Sequence, residues 1–229
     1  MTLLRVILTV LALAAIGTTV TAQDGESFHP GFTGFGIQGG VALSMLTGED
    51  AGDWGTRLGP QFGAFATYSL TPGFSLQPEF WYIERGAKMY NTEEELKLTY
   101  MQLIALARLD ICEECYDEAD RVIPRLVAGA AGSVKLSATR EFIDSYDIKN
   151  ARGIDFSVVV GAGVDIPMAE YRVMIDVRYD MSPFKLGKEL TEEQILDWAN
   201  QPRLYAAQSD GWPFDWKNAA LTVTVGLTW

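Results

Sequence analysis

The chain has 229 residues, enough for one domain or one barrel, with 48% apolar and 11% aromatic side chains and 22 glycines. Its formal net charge of −12 argues against a nucleic-acid partner, whose phosphates need a basic surface. Beyond the N-terminus there is no apolar run of about 18 residues, which argues against helical membrane spans.

Residues 1–22 read as a secretory signal peptide. Arg5 is a thin positive start, Val6 to Ile16 an apolar core, and Val20-Thr21-Ala22 places small side chains before a cleavage point after Ala22. A helical anchor is the rival reading, against which stand the short core and the Gly17-Thr18-Thr19 that follows it. No Cys follows the cleavage point, so a lipoprotein is not expected. Residues 23–32 form a predicted periplasmic segment, and 33–229 the main domain.

From there the apolar residues alternate with polar or small ones, the period of a strand with two different faces. Thr33 to Met45 is the first predicted strand: Phe35, Ile37, Val41, Leu43 and Met45 against Gln38, Gly40, Ala42 and Ser44. The Gly- and Asp-rich Leu46 to Thr56 is a loop. Arg57 to Leu70 is the second strand, with Phe62, Ala64, Ala66 and Tyr68 opposing Gln61, Gly63, Phe65, Thr67 and Ser69. Thr71-Pro72-Gly73 is a short turn. Phe74 to Met89 is the third strand, in which Pro78 predicts a local irregularity because it cannot donate to a ladder.

Tyr90 to Glu95 is an acidic loop. Leu96 to Asp110 is the fourth strand, with a helix as the rival reading, since Leu and Ala permit it. The polar Cys112 to Arg121 connects it to a fifth strand that starts near Ile123, and Ser137 to Arg152 is a polar loop. Gly153 to Ile166 is the sixth strand. Pro167 to Glu170 is a tight connection, and Tyr171 to Met181 the seventh strand.

That seventh strand decides the surroundings. Tyr171, Val173, Ile175, Val177, Tyr179 and Met181 form one face; Arg172, Met174, Asp176, Arg178 and Asp180 form the other. A basic residue facing lipid near the midplane costs ~2–4 kcal/mol. Four charges on one face therefore point to a polar interior, and the apolar face to lipid.

Pro183 to Trp216 is the longest connection and predicts one short helix. Thr191 and Gln194 fit a capping box, Leu190 and Ile195 the staple positions, Ile195, Trp198 and Ala199 a stripe, and Pro202 the end. The eighth strand, Lys217 to Trp229, alternates throughout and ends on an interfacial aromatic. Connections after the odd strands are polar loops, and two of the other three are tight turns. The expected fold is therefore all-β: an eight-stranded antiparallel up-and-down transmembrane β-barrel, with long loops outside, short turns in the periplasm and one short helix in the last extracellular loop.

Several blocks resemble the PorT family of bacterial outer-membrane barrels: GIQGGVALSMLTGED (36–50), GAFATYSLTPGFSLQPEFWYIERGAK (63–88), LTYMQLIALARL (98–109), VVVGAGVDI (158–166), VMIDVRYDMS (173–182) and the terminal LTVTVGLTW. The most specific piece ends in Gln77-Pro78-Glu79-Phe80, then Gly86. Where that family shows Tyr-x-Glu-x-Pro, this chain has Tyr100-Met101-Gln102-Leu103-Ile104. The resemblance implies an outer-membrane barrel, some of whose relatives are tied to secretion or gliding machinery.

The predicted lumen set is Glu79, Arg85, Arg108, Arg125, Lys135, Asp155, Asp165, Arg172, Asp176, Arg178 and Asp180. Eight strands leave an interior that side chains can fill, and the near balance of sign predicts a plug of ion pairs. A narrow polar pore or a reactive site are the other readings of the same residues. Cys112-Glu113-Glu114-Cys115 is a C-x-x-C motif. The two acids raise a thiol pKa rather than lower it, and zinc needs two more ligands while the sole His is His29, so a disulfide is favoured. Val160-Gly161-Ala162-Gly163 lacks the third Gly of a dinucleotide fingerprint; its glycines are expected to relieve crowding inside the barrel.

No calcium-loop spacing occurs, and no cofactor or metal is expected. A loop-based enzyme would rest on residues such as Asp144 and Asp147, since nothing pairs His29 with a Ser. Trp198, Tyr205, Trp212, Phe214 and Trp216 read either as a partner-binding face or as loop packing with the aromatic girdle. The function expected is a monomeric structural or protein-interaction platform in outer-membrane lipid, with envelope or extracellular proteins as partners through the last loop. A narrow or gated channel for small solutes and a loop-based enzyme are the alternatives.

Overall fold

A computed structural model describes residues 29–47, 54–89, 95–111, 121–141, 145–147, 153–168, 170–185 and 217–229. The strands are β1 (Gly31–Thr47), β2 (Trp54–Thr71), β3 (Phe74–Met89), β4 (Glu95–Asp110), β5 (Ile123–Glu141), β6 (Ser145–Asp147), β7 (Ile154–Met168), β8 (Tyr171–Lys185) and β9 (Lys217–Thr228). Eight of them close a barrel. Each of these pairs antiparallel with its neighbours in the order β4-β3-β2-β1-β9-β8-β7-β5, and β4 returns to β5. The seam β1–β9 runs unbroken from Gly36–Thr228 to Thr47–Lys217. It is finished by paired backbone bonds between Phe35 and Trp229 (3.1 and 3.2 Å) and by the edge contact of their rings at 5.0 Å. No backbone edge is left in the wall, which is what lipid demands.

The ninth strand is not part of that wall. β6 forms a short hairpin with the far end of β5, pairing Thr139–Asp147 through Glu141–Ser145. It lies inside the segment expected to be a polar loop, and β5 itself runs on to Glu141. Most other strands also outrun the expected ends. β1 and β2 begin at Gly31 and Trp54, β7 continues through Pro167 and Met168, and β8 reaches Lys185. Side-chain alternation marks only the half-lipid stretch, whereas backbone pairing continues wherever a neighbour can satisfy N–H and C=O groups. Strand 4 is a strand, paired on both sides, and not the rival helix.

Irregularities fall where the residues cannot follow the ladder. At Pro78 the β2–β3 pairing skips from Phe65–Glu79 to Tyr68–Leu76 with no change of register. A register shift does separate Met181 from Lys185 around Pro183. Gly86 takes φ +147°. Its amide donates to Ser44 Oγ at 2.9 Å, and a Cβ there would collide with the Leu96 carbonyl.

The two faces separate as the alternation predicts. Phe35, Ile37, Val41, Phe62, Phe80, Leu103, Leu126, Phe156, Val160, Ile175, Val177, Leu221, Val223, Val225 and Leu227 are exposed on the outside. Such a continuous apolar surface has no place in water and is that of a lipid-facing wall. Among the described residues no helix is long and apolar enough to cross a membrane. The inside is less uniformly polar than the strand pattern suggests. One apolar cluster joins Trp81, Ile104, Leu106, Val127, Ala131 and Val159. A second joins Ala42, Leu46, Ile83, Ala87, Leu96, Leu98, Tyr100 and Ala138 towards the end that carries the long connections. β4 explains it: both of its faces are largely apolar, so its in-facing Ile104 and Leu106 bring carbon into the lumen.

Candidate functional site

The described part of the molecule concentrates its polar chemistry inside the barrel. It is best followed from the end that carries Gly31, Trp229 and the β2–β3 and β7–β8 turns, here the turn end, towards the loop end.

At the turn end a cavity of about 620 Å³ opens between the strand ends. One wall is hydroxyl-lined: Ser69 Oγ lies 3.1 Å from Ser75 Oγ and donates to Thr33 Oγ1 at 3.2 Å, which donates to the Thr67 carbonyl at 3.2 Å. Arg108, Asp110 and Asp165 also line it, with the exposed Arg172 beside them.

Deeper in, an unbroken ladder of ion pairs fills the barrel. Arg108 holds Asp110 (Nε–Oδ1, 2.9 Å) and Asp165 (Nη2–Oδ2, 2.7 Å). Asp165 also meets Arg125, whose Nη2 bonds Asp176 Oδ2 at 2.8 Å. Asp176 accepts from Arg178 Nη2 at 3.1 Å. Arg178 then forks onto both oxygens of Glu79, at 2.6 and 3.0 Å. Glu79 is further held by Gln77 Nε2 (2.6 Å) and Trp81 Nε1 (2.7 Å). The strands cause this order. β8 offers Asp176 and Arg178 two residues apart on one face, β5 and β4 supply Arg125 and Arg108, and β7 supplies Asp165.

A second, separate set lies closer to the loop end. Arg85 pairs with Asp180, and Gln102 Nε2 donates to the same carboxylate at 3.0 Å. Asp155 accepts from Ser182 Oγ at 2.5 Å and from the Phe156 amide at 2.9 Å. At the loop end Arg57 bridges Glu84 and Glu95, which also meet Lys97 (3.2 Å) and Lys88 (3.3 Å). Between the ladder and the Arg85 set lies a void of about 20 Å³.

Of the predicted lumen set, Glu79, Arg85, Arg108, Arg125, Asp155, Asp165, Asp176, Arg178 and Asp180 are all buried inside. Arg172 has the right parity but stands exposed at the turn end, because the strand begins there and the wall no longer covers it. Lys135 is half-buried near the loop end, where the β4–β5 register slips between Thr99–Ser137 and Tyr100–Lys135 and β5 changes face. Arg57 and Asp110 are buried members that the predicted set lacks. The signal was present: Arg57 shares the parity of Gln61, and Asp110 that of Arg108.

Gly163 faces the lumen as expected of a crowding-relief glycine. A Cβ there would run into Asp176 Oδ1 and come within 2.5 Å of the Ile175 carbonyl oxygen. Cys112, Cys115, Asp144, the predicted helix at 191–202, Trp198, Tyr205, Trp212, Phe214 and Trp216 lie outside the described residues. Asp147 is on β6, across from Thr139. Among the described residues no group of three His, Cys, Asp or Glu side chains is placed to hold a metal ion. Among the described residues these opposite charges are held against one another inside the wall, in the near balance that burial of ions demands.

A family model described as the outer membrane protein beta-barrel domain matches residues 21–185. No curated protein matches the sequence. Among solved structures, the chain is similar to Ail, the attachment invasion locus protein of Yersinia pestis, at 16% identity and a TM-score of 0.42, covering 88% of this chain and 100% of that one. It is also similar to Neisserial surface protein A, at 16% identity and a TM-score of 0.47, covering 86% and 97%.

Proposed function

The chain belongs to the outer membrane protein beta-barrel domain family, and on that premise we propose that this outer-membrane β-barrel is a monomeric, non-enzymatic platform that works through its ends and not through its lumen. The observation that carries this is the ion-pair ladder from Asp110 to Glu79, with a void of about 20 Å³ above it. Side chains that fill the described lumen in this way favour a closed barrel over a path for solute. Among the described residues the open surface is the hydroxyl-lined cavity at the turn end.

The rule that short turns are periplasmic puts the turn end, with both chain ends, in the periplasm and the long connections outside. Residues 1–22 then serve as the cleaved signal peptide. Envelope or extracellular proteins are the partners, docking on the last loop with its Trp198, Tyr205, Trp212, Phe214 and Trp216, and lipid surrounds the wall. The quoted sequence blocks support membership of the PorT branch of such barrels. In a planar bilayer, the folded protein is expected to give no stable single-channel openings. Regular openings would sink the closed-lumen reading in favour of a narrow channel. Crosslinking in the native envelope is expected to trap partners at the loop end.

A further inference from the structure

The ladder and the Arg85 set both line the small void, and the residues that line it carry incompletely bonded groups. Arg178 Nε, Arg85 Nε and Asp180 Oδ1 are all buried with no protein partner. All three residues line the void, together with Thr222 and Thr224 from β9. Each of the three is 3% exposed or less. Burying such groups unbonded costs about 1–3 kcal/mol apiece, and more when charged.

We propose that this void is a binding site for one water molecule, which joins the two ion-pair sets into a single column. The stoichiometry of bonds fits water closely. Its two lone pairs accept from the guanidinium Nε–H groups of Arg178 and Arg85, one O–H donates to Asp180 Oδ1, and the second O–H is left for a threonine hydroxyl oxygen. The volume fits as well. A cavity needs about 10–15 Å³ on this measure to hold a water, with two to four polar partners, and here there are about 20 Å³. A cation is disfavoured by two guanidinium groups on the wall. A halide would satisfy both Nε–H donors but would face the Asp180 carboxylate, which a water can serve and an anion cannot.

The test is a high-resolution crystal structure of the full chain grown in sodium bromide. The expected result is one peak within hydrogen-bond distance of Arg178 Nε, Arg85 Nε and Asp180 Oδ1, with no bromine anomalous signal. An anomalous peak would make it an anion site, and an empty void would make it a dry cavity; either overturns the proposal. A solution measurement stands beside it. Val159 also lines the void, so Val159→Ile pushes a methyl group into it. If water sits there, the variant displaces it, strands the three polar atoms and melts several degrees lower than the parent. A dry void would be usefully filled, and a higher melting temperature in Val159→Ile would equally overturn the proposal.

Discussion

Gly163 carries a requirement that its neighbours impose. It sits opposite Asp176 on β8, and the space that a side chain would occupy is taken by that carboxylate and by the backbone of Ile175. Gly163→Ala therefore forces Asp176 away from Arg125 and Arg178. Overpacking of this kind costs ~1–3 kcal/mol. Urea unfolding followed by tryptophan fluorescence in liposomes is expected to show a lower midpoint, and an unchanged midpoint would remove the glycine from the charge arrangement. At this scale the sequence was informative because parity and charge act together. A Gly, an Asp and an Arg on one parity of adjacent strands can only be inside, since lipid refuses the charges. Arg57 and Asp110 obeyed the same rule but stood at predicted strand ends, where alternation has too few repeats to speak. Lys135 keeps the inward parity of Ser133 and pairs with the buried Tyr100, but it is only half-buried beside the slip at Leu136, which no Gly or Pro announces.

β8 makes the sharpest distinction between faces. Val177 is 48% exposed on the outside, and its chain neighbours Asp176 and Arg178 are almost fully buried. Val177→Arg puts a guanidinium against the acyl chains at a cost of ~2–4 kcal/mol near the midplane. The expected reading is loss of folded barrel in liposomes, with a smaller penalty for Met181→Arg, nearer the loop end of the same strand. Equal penalties at both sites would mean that the outer wall does not sit in a bilayer as described. Elements also show where reading by period fails. Existence and direction of each wall strand followed from alternation, but the ends did not. β5 spans 19 residues and β9 only 12, although a bilayer needs about 9–11. Length beyond the bilayer is fixed by what each backbone can pair with, and β6 exists only because the tip of β5 offers such an edge. The apolar half of the lumen was hidden for a related reason: β4 has carbon on both faces, so period alone could not say that its inner side packs against Val127 and Val159.

At the scale of the molecule, closure is the property that everything else presumes. Val41 and Val223 face each other directly across the β1–β9 seam. In a Cys112→Ser, Cys115→Ser background, Val41→Cys with Val223→Cys is expected to form a disulfide in the folded barrel, since directly paired antiparallel residues lie about 4.5–5.5 Å apart at Cα. Gel mobility with and without reductant reads the crosslink. Failure to form it, with Val41→Cys plus Leu227→Cys forming it instead, would mean a different register and a different barrel. The near balance of buried charge and the −12 total of the whole sequence also belong together. If the interior is close to neutral, the excess acid lies on the connections, where it keeps them soluble and apart.

The seam has a consequence in time as well as in space. Its last bonds join Phe35 to Thr228 and Trp229, with Thr228 and Phe35 separated by 193 positions. Contacts so distant along the chain make folding slow, because the entropy of closing the loop must be met before any contact rewards it. Until the final dozen residues have been delivered, β1 and β8 are both open edges, and no partial product is compatible with lipid. Closure of this seam and entry of the hydrocarbon face into lipid must therefore be coupled, since neither is stable without the other.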